Sequence, residues 1–240
     1  MKIIVANPNS NTELTKVLMK SAEKGFNDSS TELIPYTNPK GSKHIDCTFG
    51  DYQSVWSFVR GLLDFTEEVN PDAIVLAGFG NFGFFALKEA LDIPVISIAE
   101  GSQVIATMLG HKYSILTVFK QNIPYQEDLT HLLRLEGKLA SVRGIEMDTE
   151  NVNQNSSVKE SLKNTIIKMI EEDGAEAIVL GGARFAMYAD SLSEEIGVPV
   201  IDPVSVSVKL AKLFVECHLS QSKIGKFNYP PQKISDYFVD

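Results

Sequence analysis

Asp72-Ala73-Ile74-Val75-Leu76-Ala77-Gly78-Phe79-Gly80-Asn81-Phe82-Gly83 decides the reading of this chain of 240 residues, because its Ala-Ile-Val-Leu-x-Gly pattern appears twice. The second copy, Glu176-Ala177-Ile178-Val179-Leu180-Gly181-Gly182-Ala183-Arg184, repeats Ala-Ile-Val-Leu and then opens a turn. A helical run follows each copy, and then a strand of nearly the same sequence, Ile93-Pro94-Val95-Ile96 in the first half and Val198-Pro199-Val200-Ile201 in the second. Gly78 and Gly182 are therefore equivalent positions. A short continuous apolar run bounded by glycine and followed by a helix reads as a buried parallel strand whose C-terminal end opens onto a loop. In open α/β sheets ligands bind at that end. The repeat predicts an α/β fold of two pseudo-symmetric lobes, each a parallel sheet flanked by helices, with the ligand cleft between them. Residues 1–99 with 204–240 are expected to form one lobe and 100–203 the other.

Outward from the repeat, strands and helices alternate along the whole chain, the pattern of βαβ units. Lys2–Ala6 reads as a strand, and Asn7-Pro8-Asn9-Ser10-Asn11-Thr12 as a polar turn into a helix over Glu13–Lys24. Ser10 and Glu13 have the spacing of a capping box. Amide and hydroxyl donors at this strand end, beside the N–H groups of a helix start, also offer a seat for a small anion. A strand is expected over Thr31–Pro35, a polar loop over Asn38–Gly50 and an amphipathic helix over Tyr52–Val69. After the first glycine turn come a short helix to Leu91, strand Pro94–Ile98, the polar turn Ala99–Ser102 and a helix to Leu109. Strand Lys112–Val118, helix Pro124–Leu135 and strand Ala140–Ile145 lead to Asp148–Ser157, a polar surface loop closed by a Ser157/Glu160 capping box. Helix Val158–Glu172, the second copy, helix Phe185–Ile196, strand Pro199–Ile201 and helix Val204–Leu219 complete the alternation. Ser220–Asp240, with Pro230-Pro231, reads as a tail packed across the surface.

Composition narrows the function classes. A net charge of −9 leaves no basic stripe for nucleic acid. No apolar run approaches the roughly 18 residues that span a bilayer, and Met1-Lys2-Ile3-Ile4-Val5 enters a strand without a signal-peptide pattern, so a cytoplasmic chain is expected. Cys47 and Cys217 lie far apart without metal-ligand spacing, which points to neither a disulfide framework nor a metal site.

Gly78, Gly80 and Gly83 spell G-x-G-x-x-G, with Glu100 near the place of a ribose-binding acid, so dinucleotide binding stands as a remote alternative. Against it, the motif is not on the first strand, and Phe79, Phe82 and Phe84 would crowd a pyrophosphate. No nucleophile elbow or P-loop occurs, and His44, His111, His131 and His218 fall away from the repeated strand ends.

Ile4-Val5-Ala6-Asn7-Pro8-Asn9-Ser10-Asn11, Ala77–Gly83, Ser97-Ile98-Ala99-Glu100, Tyr113–Thr117, Ala140-Ser141-Val142-Arg143 and Val198–Pro203, in this order, resemble the Asp/Glu/hydantoin racemase superfamily. The likeness covers essentially the whole chain and leans towards the hydantoin and allantoin racemase branch. It implies two α/β lobes with one catalytic cysteine from each, and cofactor-independent proton transfer at a carbon next to a carbonyl. One thiolate removes the proton and the opposite thiol delivers another. The family cysteines map onto Gly78 and Gly182, which carry no side chain, so two-thiol racemisation is expected to be lost. Asn81-Phe82 and Arg184-Phe185 depart from the branch as well. The expected ligand is a small anionic molecule, an amino acid, hydantoin or ureide, held by Asn9, Ser10, Gly78, Phe79, Gly80, Thr117, Gly182, Ala183 and Arg184. The alternative is a racemase, isomerase or decarboxylase that uses a non-cysteine acid or base, for which Glu100, Tyr188 and Asp202 are the candidates. No cofactor, metal, nucleic-acid or membrane partner is expected, and the chain is expected to form a homo-oligomer.

Overall fold

The computed structural model describes residues 1–24, 26, 30–145 and 156–238. They form two compact units, Met1–Ser97 with Ser207–Asp240 and Ile98–Val206. The first holds strands β1 (Lys2–Asn7), β2 (Glu32–Thr37), β3 (Ala73–Leu76) and β4 (Val95–Ser97) in one parallel sheet of order β2-β1-β3-β4. Helices α1 (Thr12–Glu23), α2 (Thr48–Val69) and α3 (Phe84–Ala90) connect them. The second holds β5 (Tyr113–Thr117), β6 (Leu139–Gly144), β7 (Ala177–Leu180) and β8 (Val200–Ile201), again parallel, in the corresponding order β6-β5-β7-β8. Its helices are α4 (Ile98–Leu109), α5 (Ile123–Leu132), α6 (Ser156–Glu171) and α7 (Ala189–Ile196), while α8 (Pro203–Glu216) starts in this unit and continues into the first.

The repeat is the centre of both sheets. Every residue of β3 and β7 is buried, as the unbroken Ala-Ile-Val-Leu run requires of a strand covered on both faces. The register is the same in both units: Leu76 lies beside Ala6 and Leu180 beside Leu116. The next amides repeat the pattern, Ala77 N donating to Ala6 O and Gly181 N to Leu116 O, each at 2.8 Å. Gly78 and Gly182 follow directly, as the sequence equivalence expects. Ile3, Ile4, Val5, Leu18, Phe58, Leu62 and Ile74 fill the first core, and Leu116, Leu162, Ile166, Met169, Ile178, Leu180 and Phe185 the second.

Four local expectations are corrected. The cap of α1 is Asn11, whose Oδ1 accepts from Glu13 N and Leu14 N, not the Ser10/Glu13 box. Helix α2 starts at Thr48 inside the expected loop, and α4 starts at Ile98, so Ala99–Ser102 is its first turn. The expected helix Phe185–Ile196 is a 3-10 segment, Ala183–Tyr188, followed by α7. Asp148 to residue 155 lies outside the described residues, as does the Ser157 side chain of the expected capping box.

Candidate functional site

In the first unit the C-terminal ends of β1 and β3 carry the expected residues Asn9, Ser10, Gly78, Phe79 and Gly80. Alternating asparagines build the loop after β1, each accepting from the backbone two residues on. Asn7 Oδ1 accepts from Asn9 N at 3.1 Å and Asn9 Oδ1 from Asn11 N at 3.0 Å, after which Asn11 caps α1. Asn7 Nδ2 donates to Thr15 Oγ1 at 2.9 Å, and Thr15 meets Thr37 at 2.7 Å, which ties the loop to α1 and β2. Ser10 N donates to Ser42 O. Two donors remain: among the described residues neither the Asn9 amide nitrogen nor the Ser10 hydroxyl makes a hydrogen bond, although Asn9 is only 8% exposed. A rigid, mostly buried side chain with an uncommitted donor at a strand end is suited to a carboxylate or an imide.

The loop after β3 is set by what surrounds Gly78. A Cβ there would stand 2.5 and 2.7 Å from ring atoms of Phe82 and 2.7 Å from Pro8 Cγ. Phe82 is buried and holds a left-handed backbone, φ +34°, a region that costs a non-glycine residue on the order of 1–3 kcal/mol. Gly83 follows at φ +71° and caps α3 without a side-chain hydrogen bond.

The second unit repeats the plan with different side chains. Thr117 ends β5, 1% exposed, and its carbonyl accepts from Ile145 N, as that of Asn7 accepts from Asn38 N. A Cβ at Gly182 would lie 2.7 Å from Val118 Cγ2 and 3.4 Å from Phe185 Cδ2. Ala183 and Arg184 open the 3-10 segment, both half-buried, and Arg184 pairs with no carboxylate among the described residues. An unpaired guanidinium beside a strand end is suited to bidentate recognition of a small carboxylate.

The three candidate acids and bases have other surroundings. Asp202 is 6% exposed, and its Oδ1 caps α8 by accepting from Val204 N at 2.9 Å and Ser205 N at 3.2 Å. Tyr188 ends the 3-10 segment and packs against the apolar core of its unit. Glu100 stands in the first turn of α4, half-buried. Cys47 and Cys217 are both exposed, and among the described residues no three His, Cys, Asp or Glu side chains cluster as metal ligands. Sequence reasoning did not single out Pro8, Val118 or Phe185 as the neighbours of the two glycines, because packing across a loop leaves no spacing signal.

The sequence model of the Asp/Glu/hydantoin racemase family matches residues 3–211. The chain belongs to this family. It is 34% identical over 234 residues to the hydantoin racemase of Pseudomonas sp. (strain NS671), covering 97% of this chain and 93% of the relative. To the hydantoin racemase of Paenarthrobacter aurescens it is 30% identical, with 97% and 99% covered. The solved allantoin racemase from Klebsiella pneumoniae superposes with a TM-score of 0.89 at 29% identity, over 97% of this chain and 95% of that one. Within the family, these likenesses place the chain with the hydantoin and allantoin branch. Among the described residues no helix is long and apolar enough to cross a membrane.

Proposed function

We propose that this family member binds a small carboxylate, hydantoin or ureide at its strand-end loops and does not carry out two-thiol racemisation. In the first unit the proposed ligand-binding groups are Asn9 Nδ2, the Ser10 hydroxyl and the backbone at Gly78, Phe79 and Gly80; in the second they are the Thr117 hydroxyl, the Arg184 guanidinium and the backbone at Gly182 and Ala183. One observation carries the reading: the volume beside Gly78 belongs to Phe82 and Pro8. Proton transfer at a carbon between two opposed acid/base groups needs a side chain at both positions, and neither glycine has one. Family membership supports the ligand class, and the uncommitted donors support binding. In this reading the protein needs no cofactor or metal and works as a homo-oligomer in the cytoplasm.

Retained catalysis would require another acid or base. The engagement of Asp202 with two backbone amides and the packing of Tyr188 weigh against those two, and no observation favours Glu100. The reading is tested by thermal-shift titration of the wild type with allantoin, 5-substituted hydantoins, aspartate and glutamate, beside Arg184→Met and Asn9→Ala. A ligand that raises the melting temperature of the wild type, with the rise lost in both variants, is expected. A rise that survives both substitutions would refute the proposed seat.

A further inference from the structure

Helix α3, which follows the Gly78–Gly83 loop without an intervening residue, has little to hold it in its own sequence. It has seven residues, no side-chain N-cap and no acidic residue in its first turn. Helices this short are marginal unless tertiary packing fixes them. The residues that do so come from the far end of the chain. Lys223 Nζ donates to Lys88 O at 2.8 Å and Glu89 O at 3.0 Å, satisfying carbonyls of the last turn of the helix. Desolvation at this spot holds the Lys223 ammonium below its usual range, against the pull of Asp92 and Glu89. Phe227 packs against Phe85 with the rings tilted by 32° and their centroids 5.9 Å apart. Lys88, only 9% exposed, places its ammonium 4.3 Å from the Phe84 ring centroid and 5.1 Å from that of Phe227, so one cation joins helix and tail through two aromatic faces.

The turn behind the helix is held by the same segment. Gln221 Nε2 donates to Leu91 O at 2.6 Å and Ile93 O at 2.8 Å, its Oε1 accepts from Val95 N at 3.2 Å, and the Tyr229 hydroxyl donates to the Asp92 carboxylate. Residues 220–229 thus grip α3, its exit turn and the start of β4. At the other end the helix is coupled to the loop, since Phe84 N donates to Asn81 O at 2.6 Å and Leu87 N to Gly83 O at 2.9 Å.

We infer that this C-terminal segment is a strap that sets the conformation of the Gly78–Gly83 loop through α3, with Lys223 and Phe227 as positioning residues remote from the loop. Loosening the strap frees the helix, and the left-handed backbone at Phe82 and Gly83 loses the anchor that keeps it in place.

Amide hydrogen exchange followed by mass spectrometry tests it on the full chain, comparing the wild type with Phe227→Ala and Lys223→Met and with the conservative Phe227→Tyr and Lys223→Arg. Both side chains are half-buried rather than core, and the two disruptive variants serve as independent readings if one misfolds. Exchange at residues 79–84 is expected to quicken tenfold or more in each disruptive variant. Peptides covering β5 and β7 should be unchanged, and the conservative variants should restore most of the protection. Unchanged exchange at 79–84 would overturn the inference. So would quickening confined to residues 85–93, or a uniform rise in both units, which would make the tail a general stabiliser.

Discussion

At Gly78 the space that a side chain would need is already filled by its neighbours. Replacing it by alanine pushes a methyl group into Phe82 and Pro8, and overpacking of this kind costs about 1–3 kcal/mol. Gly78→Ala is therefore predicted to lower the urea midpoint, and adding Phe82→Ala should return part of the loss, so that the pair costs less than the sum of the single changes. Strict additivity in that cycle would contradict the described packing. Gly182→Ala should be milder, because only one methyl group, Val118 Cγ2, stands closer than 3 Å. Any attempt to install thiols at both positions thus has to remove the Phe82 ring first. A proline at 82 would not fit the present backbone, since its ring fixes φ near −65° while Phe82 sits at +34°. Tyr36 offers a second test at this scale. Among the described residues its buried hydroxyl has no hydrogen-bond partner, and burial, then the charge of Asp64, raises its pKa. Leaving a buried donor unsatisfied costs about 1–3 kcal/mol. Tyr36→Phe is expected to be stabilising in a denaturant melt, and a clear loss of stability would contradict it.

Elements show where the sequence was legible and where it was not. Strands β3 and β7 could be read because burial on both faces forces an uninterrupted apolar run, and the same four residues were used twice. The starts of helices were harder. Ser10 and Glu13 match a capping box by spacing, but the cascade of Asn7, Asn9 and Asn11 gives each backbone amide an acceptor two residues back, and Asn11 wins the cap. Asn11→Ala should cost about 1 kcal/mol and Ser10→Ala should leave stability nearly unchanged; a larger loss for Ser10→Ala in chemical denaturation would reverse the assignment. Ala99–Ser102 read as a turn from its small and polar residues, yet these residues are helical. Ser102 Oγ bonds back to Ile98 O at 2.6 Å, so the polar group is satisfied inside the helix. The place of Phe82 over Gly78 depends on a positive φ that no local pattern announces.

The whole chain carries the family's fold in two units of matching sheet order, and within the second unit a polar fork locks an edge strand. Asp173 accepts from Ser141 Oγ at 2.6 Å and Arg143 Nε at 2.7 Å, while Arg143 also reaches Glu172. The Arg143 hydrogen bonds, opposed by desolvation and aided by Ser141, hold the Asp173 carboxyl below its usual range. A carboxylate with a depressed folded-state pKa contributes stability that is fully present above about pH 4 and is lost as the pH falls through that lowered pKa. The stability gap between the wild type and Asp173→Asn in urea melts should therefore shrink as the pH falls below about 4; a gap independent of pH would remove Asp173 from that role. The fold was legible at this scale because the repeat and the alternation of elements span the chain. Activity was not, since in the proposed reading it turns on two glycines, Gly78 and Gly182, rather than on a side-chain motif. The most direct measurement is proton NMR in D₂O of an optically pure 5-substituted hydantoin and of allantoin with the purified protein, beside a family member that has both cysteines. No protein-dependent loss of the proton next to the carbonyl is predicted, with ligand signals broadened by binding. Exchange approaching that of the two-cysteine relative would contradict the account.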